Sequence, residues 1–126
     1  MRGRTPGTYL GFVLETPDPL ALAEFYSAIT GWPIASTEPT WVTLHPGEGT
    51  TYVGFHLSPE YVAPVWPPAD GQQQAMAHLD VEVTDVPGAV EDAVALGGRL
   101  ADFQPQEKVR VMLDPDGHPF CLYPGS

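Results

Sequence analysis

The feature that most constrains the fold of this chain is an internal repeat. The segment from Gly11, GFVLETPDPLALAEFYSAITGWPI, aligns without a gap with the segment from His78, HLDVEVTDVPGAVEDAVALGGRLA. The alignment pairs Asp18 with Asp85 and Gly31 with Gly98. Each copy contains an alternating strand pattern, an aspartate, a helical pattern and short strand patterns that lead to a hairpin. The repeat therefore predicts two tandem β-α-β-β-β modules.

Both predicted helices have a start signal, a stop signal and one apolar stripe. Asp18 and Asp85 precede the helices and can accept hydrogen bonds from free backbone N–H groups, and Pro19 suits the first helical position. Gly31 and Gly98 are predicted to end them in the left-handed conformation. The stripes follow helical spacing and consist of Leu22, Phe25, Tyr26 and Ile29, then Val86, Val90, Ala93 and Val94.

We expect one α+β domain over residues 1–126, with module one at about 8–57, a linker at 58–74 and module two at about 75–124. The linker segment SPEYVAPVWPPADGQQQ is rich in Pro, Gly and Gln and has no periodicity. A chain of this length can bury a hydrophobic core without disulfides or structural metals.

Composition and charge exclude several classes of function. The net charge of −11 would repel a nucleic acid backbone, whereas it would attract a cationic small molecule. No apolar run is long enough to span a membrane, and MRGRTPG is not followed by the apolar core of a secretory signal. The single cysteine excludes an internal disulfide. These features predict a cytoplasmic protein with no nucleic acid or membrane partner.

Strand alternation predicts one apolar face and one chemically mixed face in each sheet. In the first module the mixed face carries Tyr9, Gly11, Val13, Glu15, Trp41, Thr43, Tyr52, Gly54 and His56. In the second it carries His78, Asp80, Glu82, Thr84, Arg110, Met112, Cys121 and Tyr123. Together the mixed faces predict curved sheets around a cup-shaped cavity; the alternative is an ordinary solvated surface.

The repeated module and the ending LDPDGHPFCLY resemble the vicinal oxygen chelate superfamily, which includes glyoxalase I, extradiol dioxygenases and bleomycin-resistance proteins. The segments APVWPP, AHLDVEV and DPDGHPFCL are most similar to the small glyoxalase-like domains of actinobacteria. The resemblance implies a single glyoxalase-like domain, and small relatives of this size commonly form homodimers.

The resemblance also implies four metal-ligand positions, which fall on Gly11, His56, His78 and Cys121. Glycine has no side chain to offer, and Cys121 stands where the metal-using members typically carry glutamate. The expectation is therefore that no metal cofactor is present. The alternative is one divalent metal ion held by His78 and His56.

Two functional hypotheses remain. The first is a metal-free protein that binds a small cationic or aromatic molecule, as bleomycin-resistance relatives do. The second is a metal-dependent lyase, isomerase or dioxygenase-like enzyme, for which no catalytic residue is assigned.

Two residues carry further expectations: Arg110 could clamp a ligand carboxylate or pair with an acidic side chain, and Cys121 could be a packing residue, a free thiol or a site residue. His45 and His118 are predicted to be exposed loop residues. The candidate ligand-binding residues are Trp41, Tyr52, His56, Trp66, His78, Asp80, Arg110, Met112 and Cys121.

Overall fold

The computed structural model describes residues 1–125 and contains two helices and two four-stranded mixed sheets. The predicted α+β class and the two β-α-β-β-β modules are confirmed. The chain divides into two compact units, Met1–Tyr61 and a second unit that begins at Val62.

The first unit contains one helix and one sheet. Its elements are β1 (Leu10–Thr16), α1 (Pro19–Thr30), β2 (Ile34–Glu38), β3 (Trp41–Leu44) and β4 (Thr51–Leu57). The strand order is β1-β4-β3-β2, with β1 parallel to β4 and the other neighbours antiparallel. The first strand of the module thus lies beside the last one.

The second unit repeats this topology. Its elements are β5 (Leu79–Val83), α2 (Val86–Ala95), β6 (Arg99–Leu100), β7 (Arg110–Leu113) and β8 (Pro119–Pro124). The strand order is β5-β8-β7-β6, and again only the first and last strands of the module are parallel.

The helix start signals act as predicted, and one stop signal is displaced. Asp18 Oδ1 accepts from the Ala21 N–H at 3.1 Å, and Asp85 Oδ1 accepts from the Gly88 N–H at 3.1 Å. Gly31 ends α1 with φ +75°. The second helix ends at Ala95 and Gly97 adopts φ +109°, so the stop predicted at Gly98 lies one residue too late. Because two glycines stand in succession, either could supply the positive φ, and the sequence pattern does not distinguish them.

Each unit has its own apolar core. In the first, α1 packs on β3 and β4, and the Tyr26 and Phe55 rings stack with centroids 5.9 Å apart. The buried side chains there are Leu14, Leu22, Ala23, Phe25, Tyr26, Val42, Leu44 and Phe55; in the second unit they are Ala93, Ala101, Val111, Met112, Phe120 and Leu122. Burying each large apolar side chain contributes about 1.5–3 kcal/mol.

The strand register confirms the predicted faces everywhere except on β7. Trp41 lies opposite His56, Thr43 opposite Gly54 and Gly11 beside Tyr52, which places these side chains on one face of the first sheet. In the second sheet Asp80 lies beside Cys121, so the predicted polar face of β5 is shared by β8.

The prediction for β7 is wrong by one residue. Met112 lies opposite Phe120 and Arg110 opposite Leu122, whereas Val111 lies opposite Cys121. Arg110 and Met112 therefore do not share a face of the sheet with Cys121. Met112 is fully buried at 0% exposure. A shift of one residue moves every side chain of a strand to the other face.

The two helices contain 12 and 10 residues. Within residues 1–125, neither is long and apolar enough to cross a bilayer.

Candidate functional site

A row of five aromatic rings covers the open face of the first sheet. The rings run in the order His45, Tyr9, Tyr52, Trp41, His56, with successive centroids 5.7, 6.3, 6.4 and 6.4 Å apart. We call these five residues the aromatic face. The interplanar angle between Trp41 and Tyr52 is 78°, so the edge of one ring points at the face of the other.

Two glycines create the space in which this face lies. A Cβ atom added at Gly11 would overlap the Tyr52 ring, and one added at Gly54 would overlap the Trp41 ring. Neither glycine has a positive φ, so the absence of a side chain is needed for space and not for backbone conformation. The Tyr52 and Trp41 rings therefore occupy the space above Gly11 and Gly54 that side chains at these positions would fill.

The rings border an open depression of about 510 Å3. Its lining consists of Tyr9, Ala35, Trp41, Thr43, His45 and Tyr52. Tyr9 is 60% exposed and Trp41 and Tyr52 are half-buried, so aromatic surface is available to a solute. Large aromatic side chains on the open face of a sheet often mark a binding site.

Carboxylates lie at the Trp41 end of the aromatic face, whereas the Arg4 guanidinium lies at the Tyr9 end, where it donates to the Tyr9 backbone carbonyl at 2.7 Å. Glu38 lies opposite Trp41 in the β2–β3 pair, and Glu15 Oε2 lies 2.7 Å from His56 Nδ1. The sequence contains no Lys or Arg between Arg4 and Arg99. The strands that build the aromatic face therefore carry no permanent positive charge.

Sequence reasoning selected Trp41, Tyr52 and His56 from this face but not Tyr9 or His45. Tyr9 was placed on the correct face without being chosen as a ligand residue. His45 was predicted to be an exposed loop residue, whereas it is half-buried and lines the depression. The alternation of Trp41 and Thr43, extended by one step, would have placed His45 on the same face.

The second unit brings together His78, Asp80 and Cys121, which we call the His–Asp–Cys cluster. One ligand atom from each residue lies within 4.8 Å of the others. His78 Nε2 lies 3.2 Å from Asp80 Oδ1, and the two side chains are 53% and 60% exposed. The cluster borders a hollow of about 270 Å3 whose other lining residues are Gln106, Val109 and Tyr123.

The Cys121 thiol is held in its protonated form. Burial raises the pKa of Cys121 above the ordinary thiol value, and the negative charge of Asp80 and a hydrogen bond to Asp80 raise this pKa further. Without a cation beside it, the thiol is therefore a poor nucleophile at neutral pH.

The remaining candidate residues lie elsewhere in the second unit. Arg110 donates to Gln104 Oε1 and to the Gln106 carbonyl, both at 3.3 Å, and to the Glu107 carbonyl. This guanidinium therefore braces a loop, and its contact with a ligand carboxylate stays a prediction. The Trp66 indole donates to the Phe103 carbonyl at 3.1 Å, which ties the linker to the segment after β6. A ligand contact by Trp66 stays a prediction.

His118 is not the exposed loop residue that we predicted. Its Nδ1 lies 2.8 Å from Oδ2 of Asp114, which is 1% exposed, and only 12% of the His118 side chain is exposed. Asp114 Oδ1 also accepts from the N–H groups of Asp116 and His118. The DPDGH turn is therefore organised around a buried carboxylate.

Two of the four metal positions implied by the resemblance carry no ligand in this chain. The β1–β4 pair places Val13 beside Gly54, as the β5–β8 pair places Asp80 beside Cys121. The first-unit equivalent of Cys121 is therefore Gly54, and the position assigned to His56 is corrected by two residues. Both first-unit positions are glycines covered by aromatic rings, so the first unit supplies no ligand at either.

Comparison with known proteins identifies the family. Residues 11–123 match the family model described as a glyoxalase-like domain. No curated protein matches the chain.

Solved structures share the fold at low sequence identity. A protein from Agrobacterium tumefaciens is 21% identical with a TM-score of 0.68, over 92% of this chain and 95% of its own. A glyoxalase/bleomycin resistance protein/dioxygenase family enzyme from Burkholderia phytofirmans is 19% identical with a TM-score of 0.64, over 90% and 95%. A glyoxalase/bleomycin resistance protein from Albidiferax ferrireducens is 15% identical with a TM-score of 0.62, over 94% and 98%. The match to the family model and the duplicated topology lead to one conclusion: the chain belongs to the glyoxalase-like domain family.

Proposed function

We propose that the protein binds a small planar aromatic compound on the aromatic face of the first unit, and that a positive charge on the compound strengthens binding. The observation that carries this proposal is the pair of glycines, Gly11 and Gly54, above which Tyr52 and Trp41 lie. A solvated surface would not need two strand positions without side chains to accommodate exposed aromatic rings.

The ring geometry suits one planar guest. Because the Trp41 and Tyr52 planes are nearly perpendicular, a ligand that stacks on Trp41 presents its edge to Tyr52. Stacked and edge-to-face aromatic pairs each contribute about 0.5–1.5 kcal/mol beyond burial. The depression of about 510 Å3 falls within the range of small-molecule sites.

Charge selects among planar ligands. A cation over an aromatic face gains about 0.5–2 kcal/mol from the ring quadrupole. Glu15 and Glu38 lie on the same face of the sheet, and the net charge of −11 raises the local concentration of cations. A planar anion would lose these contributions.

The experiment compares proflavine, a planar tricyclic cation, with 9-anthracenecarboxylate, an anion of similar shape. Equilibrium dialysis should give saturable binding of one proflavine per chain and weaker binding of the anion. Trp41→Ala and Tyr52→Ala should each weaken proflavine binding about tenfold, because each removes one aromatic contact with the ligand. A tenfold loss corresponds to about 1.4 kcal/mol.

The matched control is Trp32→Phe, because Trp32 belongs to the same unit but does not line the depression. Its proflavine affinity should equal that of the parent protein. The proposal fails if neither compound binds saturably, or if Trp41→Ala and Tyr52→Ala bind proflavine as tightly as Trp32→Phe.

The finer assignments made from the sequence belong to the same proposal. We infer a cytoplasmic homodimer of the actinobacterial glyoxalase-like type that sequesters its ligand without a metal at the aromatic face. Sedimentation equilibrium tests the dimer directly. The alternative of a metal-dependent lyase, isomerase or dioxygenase-like enzyme with metal on His78 and His56 has less support, because His56 is not at the position equivalent to Cys121.

A further inference from the structure

We infer that the second unit holds a zinc-class metal ion on His78, Asp80 and Cys121, without any ligand from the first unit. The three residues offer one nitrogen, one oxygen and one sulfur atom within 4.8 Å of one another. Its ligands are different residues from those of the aromatic face, and the inference does not depend on the function proposed for that face.

Backbone register brings the three side chains together. His78 immediately precedes β5 and stands two residues before Asp80, and the 3.2 Å between His78 Nε2 and Asp80 Oδ1 places their side chains on the same side. Asp80 lies beside Cys121 in the parallel β5–β8 pair, where neighbouring strands are about 4.8 Å apart. The arrangement thus follows from strand pairing and does not require a rare rotamer.

The donor set matches a borderline metal. Imidazole, carboxylate and thiolate are the three zinc ligand types, with bond lengths of about 2.0–2.3 Å. Tetrahedral geometry with these bonds requires ligand atoms roughly 3.3–3.8 Å apart. The His78 Nε2 to Asp80 Oδ1 distance of 3.2 Å is already close to this range.

The ligand atoms need only a small shift to reach tetrahedral distances, and this shift falls on exposed side chains. More than half of the His78 and Asp80 side chains is exposed, so neither is locked in place by packing. The hollow of about 270 Å3 beside the cluster leaves room for a fourth ligand such as water. When Cys121 binds the metal through Sγ, its thiol proton leaves to the buffer.

The inferred site differs from the ligand set that the family resemblance implies. That set takes two residues from each module, whereas Gly11 and Gly54 occupy the two first-unit positions here. The third donor is Asp80, which corresponds to Val13 when the two modules are aligned. A complete three-ligand set therefore exists within one module.

Cobalt(II) is the probe, because a thiolate bound to cobalt gives a ligand-to-metal charge-transfer absorption. The full chain without a histidine tag is stripped with chelator and titrated with cobalt(II), and zinc(II) is then added. We expect one cobalt ion per chain, a charge-transfer band, and loss of this band when zinc displaces cobalt.

Variants assign the ligands. Cys121→Ser should abolish the charge-transfer band. His78→Ala and Asp80→Asn should each weaken cobalt binding by more than the roughly tenfold cost of losing an outer-shell partner. Asp80→Asn is nearly isosteric and exposed, so far-UV circular dichroism should show an intact fold.

The matched controls are His56→Ala and Glu15→Gln, which remove the equally exposed histidine–carboxylate pair of the first unit. Both should bind cobalt like the parent protein. The inference is overturned if no charge-transfer band forms at millimolar cobalt, if Asp80→Asn binds normally, or if His56→Ala weakens binding as much as His78→Ala.

Discussion

The two units have the same topology but opposite chemistry on their open faces. Three matched positions in the parallel strand pairs show the difference, because Gly11, Val13 and Gly54 in the first unit correspond to His78, Asp80 and Cys121 in the second. In the first unit the missing side chains make space for aromatic rings. In the second the same positions carry three side chains of the types that bind metal ions.

Under the two proposals, the duplicated module separates two binding tasks without a change of fold. The core sides of the matched strands stay apolar, since Phe55 and Leu14 in the first unit and Phe120 and Leu122 in the second are all buried. Substitution is therefore tolerated on the open face, where side chains do not have to interlock with a helix.

The prediction with the largest expected effect tests whether the third residues of β3 and β7 lie on different faces of their sheets. Thr43 and Met112 are the third residues of their strands, yet Thr43 lies on the open face and Met112 in the core. Met112→Ala should destabilise the protein by about 2–5 kcal/mol because it leaves a cavity. Thr43→Ala should cost less than about 1 kcal/mol. Urea unfolding measures both, and equal costs would contradict the register of β7.

The second prediction compares the turns of the two final hairpins. Asp114 is buried and accepts from two backbone N–H groups and from His118, whereas His45 organises its turn through Gly47 and Gly49 nearer the surface. Asp114→Ala should cost about 2–3 kcal/mol, because buried donors lose a charged acceptor. His45→Ala should cost about 1 kcal/mol or less. Thermal unfolding of both variants checks the order, and a larger loss for His45→Ala would refute it.

The third prediction concerns the glycines of the first unit. Gly11→Ala and Gly54→Ala should each destabilise the protein by about 1–3 kcal/mol, because the new methyl group meets the Tyr52 or Trp41 ring. Gly7→Ala is the control, since its Cβ would meet only Thr5 Oγ1 at 3.7 Å. Near-ultraviolet circular dichroism should lose aromatic signal in the first two variants only. Unchanged spectra would mean that the rings do not lie over these glycines.

The smallest effect is the pH dependence contributed by Cys121 in metal-free protein. Its folded-state pKa is raised, so the thiol contributes stability that is fully present below the unfolded value of about 8.5. This stability is lost as the pH rises through the folded pKa. Cys121→Ser should reduce the loss of stability above neutral pH, measured by urea unfolding in chelator.

The same titration separates the two histidine–carboxylate pairs. Asp80→Asn should lower the pKa of Cys121, because Asp80 contributes to raising it, whereas Glu15→Gln should have no effect. Ultraviolet absorption of the thiolate gives this pKa. A shift caused by Glu15→Gln, or none caused by Asp80→Asn, would break the assignment.

Much of this organisation could be predicted because it depends on short-range patterns. The caps at Asp18 and Asp85 follow from local hydrogen bonding, and the faces of β1, β3, β4, β5 and β8 follow from alternation. In β7 the pattern fails, because Val111, Met112 and Leu113 are successive apolar residues and either phase would bury some of them. The shared cup between the modules stays a prediction.

The sequence by itself determined the repeated order of elements in each module, the helix boundaries to within a residue or two and the common face of His78 and Asp80. Each of these depends on residue spacing along a single segment, where local geometry leaves few choices. Tertiary structure decided the register of β7, the burial of Asp114 and the placement of Trp41 and Tyr52 over glycines. These features depend on which strands pair and on which atoms fill the same volume, and residues far apart in the chain share in both.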